Sequence, residues 1–207
     1  GGGVYVNDGT ITMTGSTVSS NFSLHGGGVY VDGRTTTTNG GTVNIKTASI
    51  IKLNQANLSG GGIYSKGTLV ISDDAKIEGN EATDPTSLGG GIYAGLGSFN
   101  MDGGTITGNK AATGGGVYTG GTGSFTIINA TIGGEQDYEG TDPAKTKGNK
   151  AKIGGGIYVL GATLNIKDST LSFNKINGGG NLGGGGITAS DCTLNIKGCN
   201  FNHNDSG

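Results

Sequence analysis

Carboxylates are the residues in this chain most able to do chemistry. Asp73 and Asp74 are adjacent, and cleavage of a glycosidic bond needs two carboxyl groups aimed at one substrate. Their surroundings read as strand, where neighbours point to opposite faces, so the pair is not expected to converge. A second acidic set, Glu135, Asp137, Glu139 and Asp142, falls in one insertion. Its spacing matches no calcium-loop pattern, and it reads as a solvated acidic loop. Arg34, the only arginine, sits in a polar stretch beside Thr35–Thr38 without an obvious acidic partner. His25 and His203 have no Cys or second His at metal-ligand spacing and read as solvated or capping residues. Cys192 and Cys199 flank the predicted strand Thr193–Gly198. An extended segment would hold their α-carbons on the order of 20 Å apart, whereas a disulfide needs about 4.4–6.8 Å, so two free thiols are expected. The expectation is therefore no catalytic residue, no cofactor and no metal site. A polysaccharide lyase or hydrolase is the weaker alternative.

The elements that must position these residues are repeats. Gly-Gly-Gly followed by Val or Ile and then Tyr occurs at Gly1–Tyr5, Gly26–Tyr30, Gly60–Tyr64, Gly89–Tyr93, Gly114–Tyr118 and Gly154–Tyr158, and Gly184–Thr188 is a seventh copy with Thr for Tyr. The copies start 25, 34, 29, 25, 40 and 30 residues apart, which is the mark of a solenoid. The glycine runs lack a Gly-Lys-Ser/Thr ending and precede a strand rather than a helix, so they are not phosphate loops. Glycine is 47 of 207 residues with only two prolines, and no Gly-X-Y period suggests collagen. Thirteen basic residues against fifteen acidic ones leave no electrostatic footprint for nucleic acid. No apolar run is long enough to span a membrane.

Within each copy three strands are predicted. The glycine motif supplies the first, with Val4 and Val6, or Ile157 and Val159, on one face, expected inward with Tyr outward, the reverse being the alternative because Tyr is itself largely apolar. The second alternates polar and apolar residues, as in Thr42–Ile45, Thr68–Ile71, Ser98–Met101 and Thr163–Ile166. A glycine often precedes it, expected to supply unusual backbone angles at a corner. The third ends in an apolar residue followed three positions later by Asn, except in the fifth repeat, where an insertion separates Ile132 from Asn149, giving the column Asn21, Asn54, Asn80, Asn109, Asn149, Asn174 and Asn204. Stacked side-chain amides can bond from coil to coil, and Asn tolerates the left-handed conformation that tight corners demand. The whole predicts an all-β chain, a right-handed parallel β-helix of about seven coils with three short strands each. It forms one domain over 1–207, with coils at about 1–25, 26–59, 60–88, 89–113, 114–153, 154–183 and 184–207. A propeller or sandwich would need hairpin turns between all strands, and these are missing. The chain opens directly in a repeat and closes where a further glycine run is due, so it is expected to be a fragment of a longer chain.

Tyr5, Tyr30, Tyr64, Tyr93, Tyr118 and Tyr158 would stack at coil spacing. The column is either a stiffener or a contact stripe for a glycan or host surface ligand. End coils with little to block their edges predict a second option, stacking of copies end to end into a filament.

These motifs resemble the repeats of chlamydial polymorphic outer-membrane proteins, which carry Gly-Gly-Ala-[Ile/Leu/Val] and Phe-x-x-Asn tetrapeptides. Here Gly-Gly-Gly-[Val/Ile] stands for the first, and Phe201-Asn202-His203-Asn204 matches the second in full. The resemblance covers the whole chain and extends to adhesin-like surface proteins of bacteria and archaea. It implies a right-handed β-helix displayed outside the cell, often as the passenger of an autotransporter. The functional expectation is a non-enzymatic extracellular structural or adhesin-like solenoid. No nucleic-acid partner and no membrane insertion by this segment are expected.

Overall fold

Alternation of apolar and polar side chains makes each short strand half-buried, and repetition lets every strand pair with its own equivalent. The computed structural model, which describes residues 1–33, 40–135, 147–177 and 183–207, is all-β and parallel throughout the described residues. A seven-stranded sheet holds the glycine-motif strands, Val4–Val6, Val29–Val31, Ile63–Ser65, Ile92–Ala94, Val117–Gly120, Ile157–Leu160 and Ile187–Ser190, in chain order. A twelve-stranded sheet holds the second and third strand sets. Seven rungs joined by six steps make a β-solenoid of about six turns rather than seven.

Register is strict. Leu69 pairs with Phe99, Phe99 with Phe125 and Phe125 with Leu164, and the alternate residues Ile71, Met101, Ile127 and Ile166 follow suit. Together with Ile51, Ile77, Ile106, Ile132 and Leu171 they form one continuous, fully buried core along the axis. In the third and fourth coils the second and third strands merge into Thr68–Glu78 and Ser98–Thr107, with a register shift between Asp73 and Lys76 marking the corner.

Each coil also carries a segment that the three-strand expectation lacked. Phe22–His25, Gln55–Ser59 and Glu81–Ala82 form a third sheet, and Lys150–Ala151 pairs with Lys175–Ile176. The segment follows the Asn of each repeat and buries one small or apolar residue, namely Ala56, Ala82, Ala111, Ala151 or Ile176, apart from the axial core cluster. An Asn-x-Ala signal is too short to read as alternation.

The glycine triplet has a different reason at each position. Gly60 takes φ of +64°, in the left-handed region. A Cβ at Gly61 would lie 2.4 Å from the carbonyl oxygen of Gly90, and one at Gly62 would lie 2.9 Å from the Asn80 carboxamide carbon. The glycines before the second strand also differ from expectation. Gly67 and Gly97 have no positive φ; a Cβ there would meet the backbone of the preceding coil at 2.3 and 1.9 Å. Close approach between coils, not corner angles, demands these two, whereas Gly9 before the first such strand takes φ of +126° with open space around it, as the corner reading expects.

Gly91→Ala places a methyl 2.7 Å from the Gly116 carbonyl oxygen and 3.0 Å from the Asn109 carboxamide. It should cost about 1–3 kcal/mol in urea unfolding. Leu96→Ala, at a side chain 69% exposed, should stay within about 0.5 kcal/mol of wild type.

Candidate functional site

The seven asparagines stand in one column and are hydrogen-bonded head to tail. The backbone N–H of Asn80 donates to Asn109 Oδ1 at 2.9 Å, and its Nδ2 donates to the same oxygen at 3.0 Å. The same Nδ2 donates to the carbonyl of Ile51 in the preceding coil at 2.9 Å. This triad repeats from Asn54 to Asn174, with Val18, Ile77, Ile106 and Ile132 supplying the other carbonyls. Asn21 joins through Asn54 Oδ1, and Asn204 closes the far end through Leu171. Five of the seven, Asn54 through Asn174, are buried. In six of the seven repeats the left-handed residue at this corner is not the Asn but the one before it: Ser20, Leu53, Gly79, Gly108, Phe173 and His203 have φ between 51° and 65°, and only Gly148 does not. That turn aims the Asn amide along the axis, where the next coil supplies its acceptor.

The tyrosines occupy the opposite role, outside the core. Tyr30, Tyr64, Tyr93, Tyr118 and Tyr158 stack with ring centroids 4.5–5.6 Å apart and planes within 23° of parallel. Tyr5 is tilted at 33° on Tyr30 and donates its hydroxyl to Asp32 at 3.1 Å. Tyr64 and Tyr118 are buried although they point away from the interior. Burial raises the phenol pKa of Tyr30, Tyr64, Tyr93 and Tyr118, while the hydrogen bond to Asp32 is the main cause at Tyr5. Stacking occupies the ring faces, so the stripe offers edges and hydroxyls to a ligand, not the faces on which a sugar would lie.

His25 joins this face instead of standing in solvent. Its ring centroid lies 4.8 Å from that of Tyr64, and Lys66 Nζ lies 5.6 Å from the centroid of the same tyrosine. The buried Nδ1 has no hydrogen-bond partner among the described residues. Desolvation first, then the nearby Lys66 and amino terminus, lower its pKa. His203 stacks on Phe173 at 4.7 Å with parallel rings.

Asp73 and Asp74 do not lie back to back on a strand. Asp73 takes φ of 61° at the corner, and the two carboxylates reach the same neighbouring turn. Asp73 accepts from Thr47 Oγ1 at 2.8 Å and Asp74 from the Ala48 N–H at 2.6 Å. Those hydrogen bonds to Thr47 hold the Asp73 carboxyl below its usual range. Cys192 and Cys199 are free and partly buried, and both pack on the core of the last coil. No group of three or more metal-capable side chains occurs among the described residues. Arg34, Thr35–Thr38, Asp137, Tyr138, Glu139, Asp142 and Pro143 lie outside the described residues.

One column was missed at the level of sequence. The residue after each ladder Asn stacks in register: Gln55 on Glu81, then Lys110, Lys150, Lys175 and Asp205. Glu81 pairs with Lys110 at 2.7 Å and Asp205 with Lys175 at 2.8 Å. A charged residue directly after Asn in five repeats is the signal that would have found it.

Comparison with family models, with curated proteins and with solved structures finds no match.

Asn109→Ala strips the acceptor from Asn80 and the donor from the Ile77 carbonyl, all buried. It should cost about 3 kcal/mol, and Asn204→Ala at the end rung distinctly less, in chemical denaturation. For His25, a lowered folded-state pKa means stabilisation that is present above the ordinary histidine range, about 6.5, and is lost as pH falls through the folded value. Thermal melts of wild type should therefore lose stability on acidification below about pH 6.5, and His25→Phe should flatten that part of the curve. The depressed carboxyls of Asp73, Asp84 and Asp205 act in a separate, more acidic window, below about pH 4.

Proposed function

We propose that this chain is a non-enzymatic extracellular scaffold, a structural or adhesin-like rod displayed on or shed from a microbial cell surface. The observation that carries this reading is where the repeated residues are used. Glycine triplets, ladder asparagines, stacked tyrosines and inward aliphatics all serve contact between coils, and the acidic pair Asp73–Asp74 is tied to a neighbouring turn. The side chains left for outside contacts are lateral ones. The repeat motifs' likeness to surface-displayed bacterial repeats supports the location.

A second reading, end-to-end stacking of copies, is favoured by the polarity of the ladder. Every step donates from the Asn N–H and Nδ2 of one rung to Oδ1 of the next. Asn204 therefore presents donors on one end face and Asn21 an acceptor on the other. Apolar Ile196 and Phe201 are 46% and 42% exposed on the first of these faces, and Phe22 and Leu24 are 60% and 56% exposed in the opposite end coil.

Protease treatment of intact producing cells should release or degrade this segment while a cytosolic control survives. Retention of the segment until the cells are lysed would overturn the surface reading. Negative-stain images of the purified chain should show short dispersed rods if it works as a scaffold. Fibres lengthening with concentration would select the stacking reading instead.

A further inference from the structure

Three lysines stand directly above one another on adjacent rungs. Lys110 is bridged to Lys150, and Lys150 pairs in register with Lys175. Like charges directly opposite on neighbouring strands repel. The two outer lysines have local relief, Lys110 in Glu81 and Lys175 in Asp205. Both partners lie on the far side from Lys150, so the middle lysine has no ion-pair partner among the described residues. Lys152 projects two residues further along the same strand direction.

These two cations border a groove of about 230 Å³. Its floor includes Ala82, Ala111, Ala112 and Ala151, all buried. Its other end carries Glu81, ion-paired with Lys110 at 2.7 Å, and Asp84, each carboxylate keeping one oxygen outside the hydrogen bonds described. The groove is thus cationic at one end, smooth in the middle and rich in acceptors at the other.

We propose that this groove binds an acidic polysaccharide, with carboxylate or sulfate groups of the chain meeting Lys150 and Lys152. Charge complementarity selects the anion: the middle of a like-charge column gains most from a counter-charge. The acceptors at the far end suit a polymer that carries donors between its anionic groups, as the hydroxyls of a sugar acid do. A nucleic acid would want exposed aromatic faces for its bases, and the tyrosine faces are taken up in their own stack. The inference names a ligand class for the lateral contacts of the proposed scaffold. It rests on that reading for its biological setting alone, because binding is measured on purified protein and a failure here leaves the cell-surface result untouched.

The test uses the 207-residue chain with polygalacturonate and with its methyl ester, the same backbone without charge. Calorimetry should show binding to polygalacturonate that weakens as salt rises, and little to the ester. The double variant Lys150→Gln/Lys152→Gln should lose roughly tenfold in affinity. Lys46→Gln/Lys197→Gln, the same charge change elsewhere, should lose little. Lys150→Gln alone should melt no lower than wild type without ligand, since it relieves repulsion. Equal losses in both double variants, equal binding of the ester, or no binding would each overturn the proposal. So would binding that appears only after Glu135, Asp137, Glu139 and Asp142 are changed to amides, which would give the groove to this chain's own acidic insertion.

Discussion

Hydrogen bonding along the axis, from each coil to the next at a separation of about 4.8 Å, is the constraint on which everything else in this solenoid depends. Low apolar content rules out a thick interior, so stability cannot come from bulk burial alone. What replaces it is a core one coil wide, closed by backbone ladders on several faces and by the asparagine column at one corner. An amide side chain suits that column because it has both a donor and an acceptor. Asn109 accepts twice from Asn80 and donates both to Asn149 and to Ile77. A carboxylate could accept but not pass the chain of bonds onward, and an aliphatic residue could do neither. Buried polar groups are tolerated when every member is satisfied, and the interior of this ladder meets that condition.

The same spacing explains why glycine is so abundant and so regularly placed. Adjacent coils approach until the third glycine of one triplet lies against the carboxamide of the ladder, leaving no room for a Cβ. Glycine and asparagine columns are therefore two sides of one contact. The tyrosine column follows as well. Identical rings held in register on the outer face of a parallel sheet come to stacking distance without further design.

Stacking identical positions has a cost when the position is charged. Along the column after the asparagines, acidic residues flank the lysines at both ends, and the structure relieves repulsion there by pairing. Such exposed pairs are each worth at most about 1 kcal/mol, so they are modest compensation rather than a source of stability. In the middle the register itself concentrates positive charge, which makes this part of the surface chemically distinct from the neutral Thr and Asn positions of the second sheet.

Much of this was legible in the chain itself. Alternation and the recurring glycine motif determine parallel, in-register coils, because only stacking of like on like buries each apolar position against its equivalent. The asparagine spacing located the ladder for the same reason. Tertiary structure alone decided the rest. Which residue takes the left-handed angle depended on how the amide must point, so Leu53 and Phe173 carry it and the adjoining asparagines do not. Whether Asp73 and Asp74 diverge or converge depended on a corner that their alternation did not reveal. His25 met Tyr64, and Lys150 met two other lysines, across sequence separations set by coil length. A one-dimensional pattern records what each residue prefers, but contacts between coils depend on the number of residues in each turn and the direction in which each corner bends.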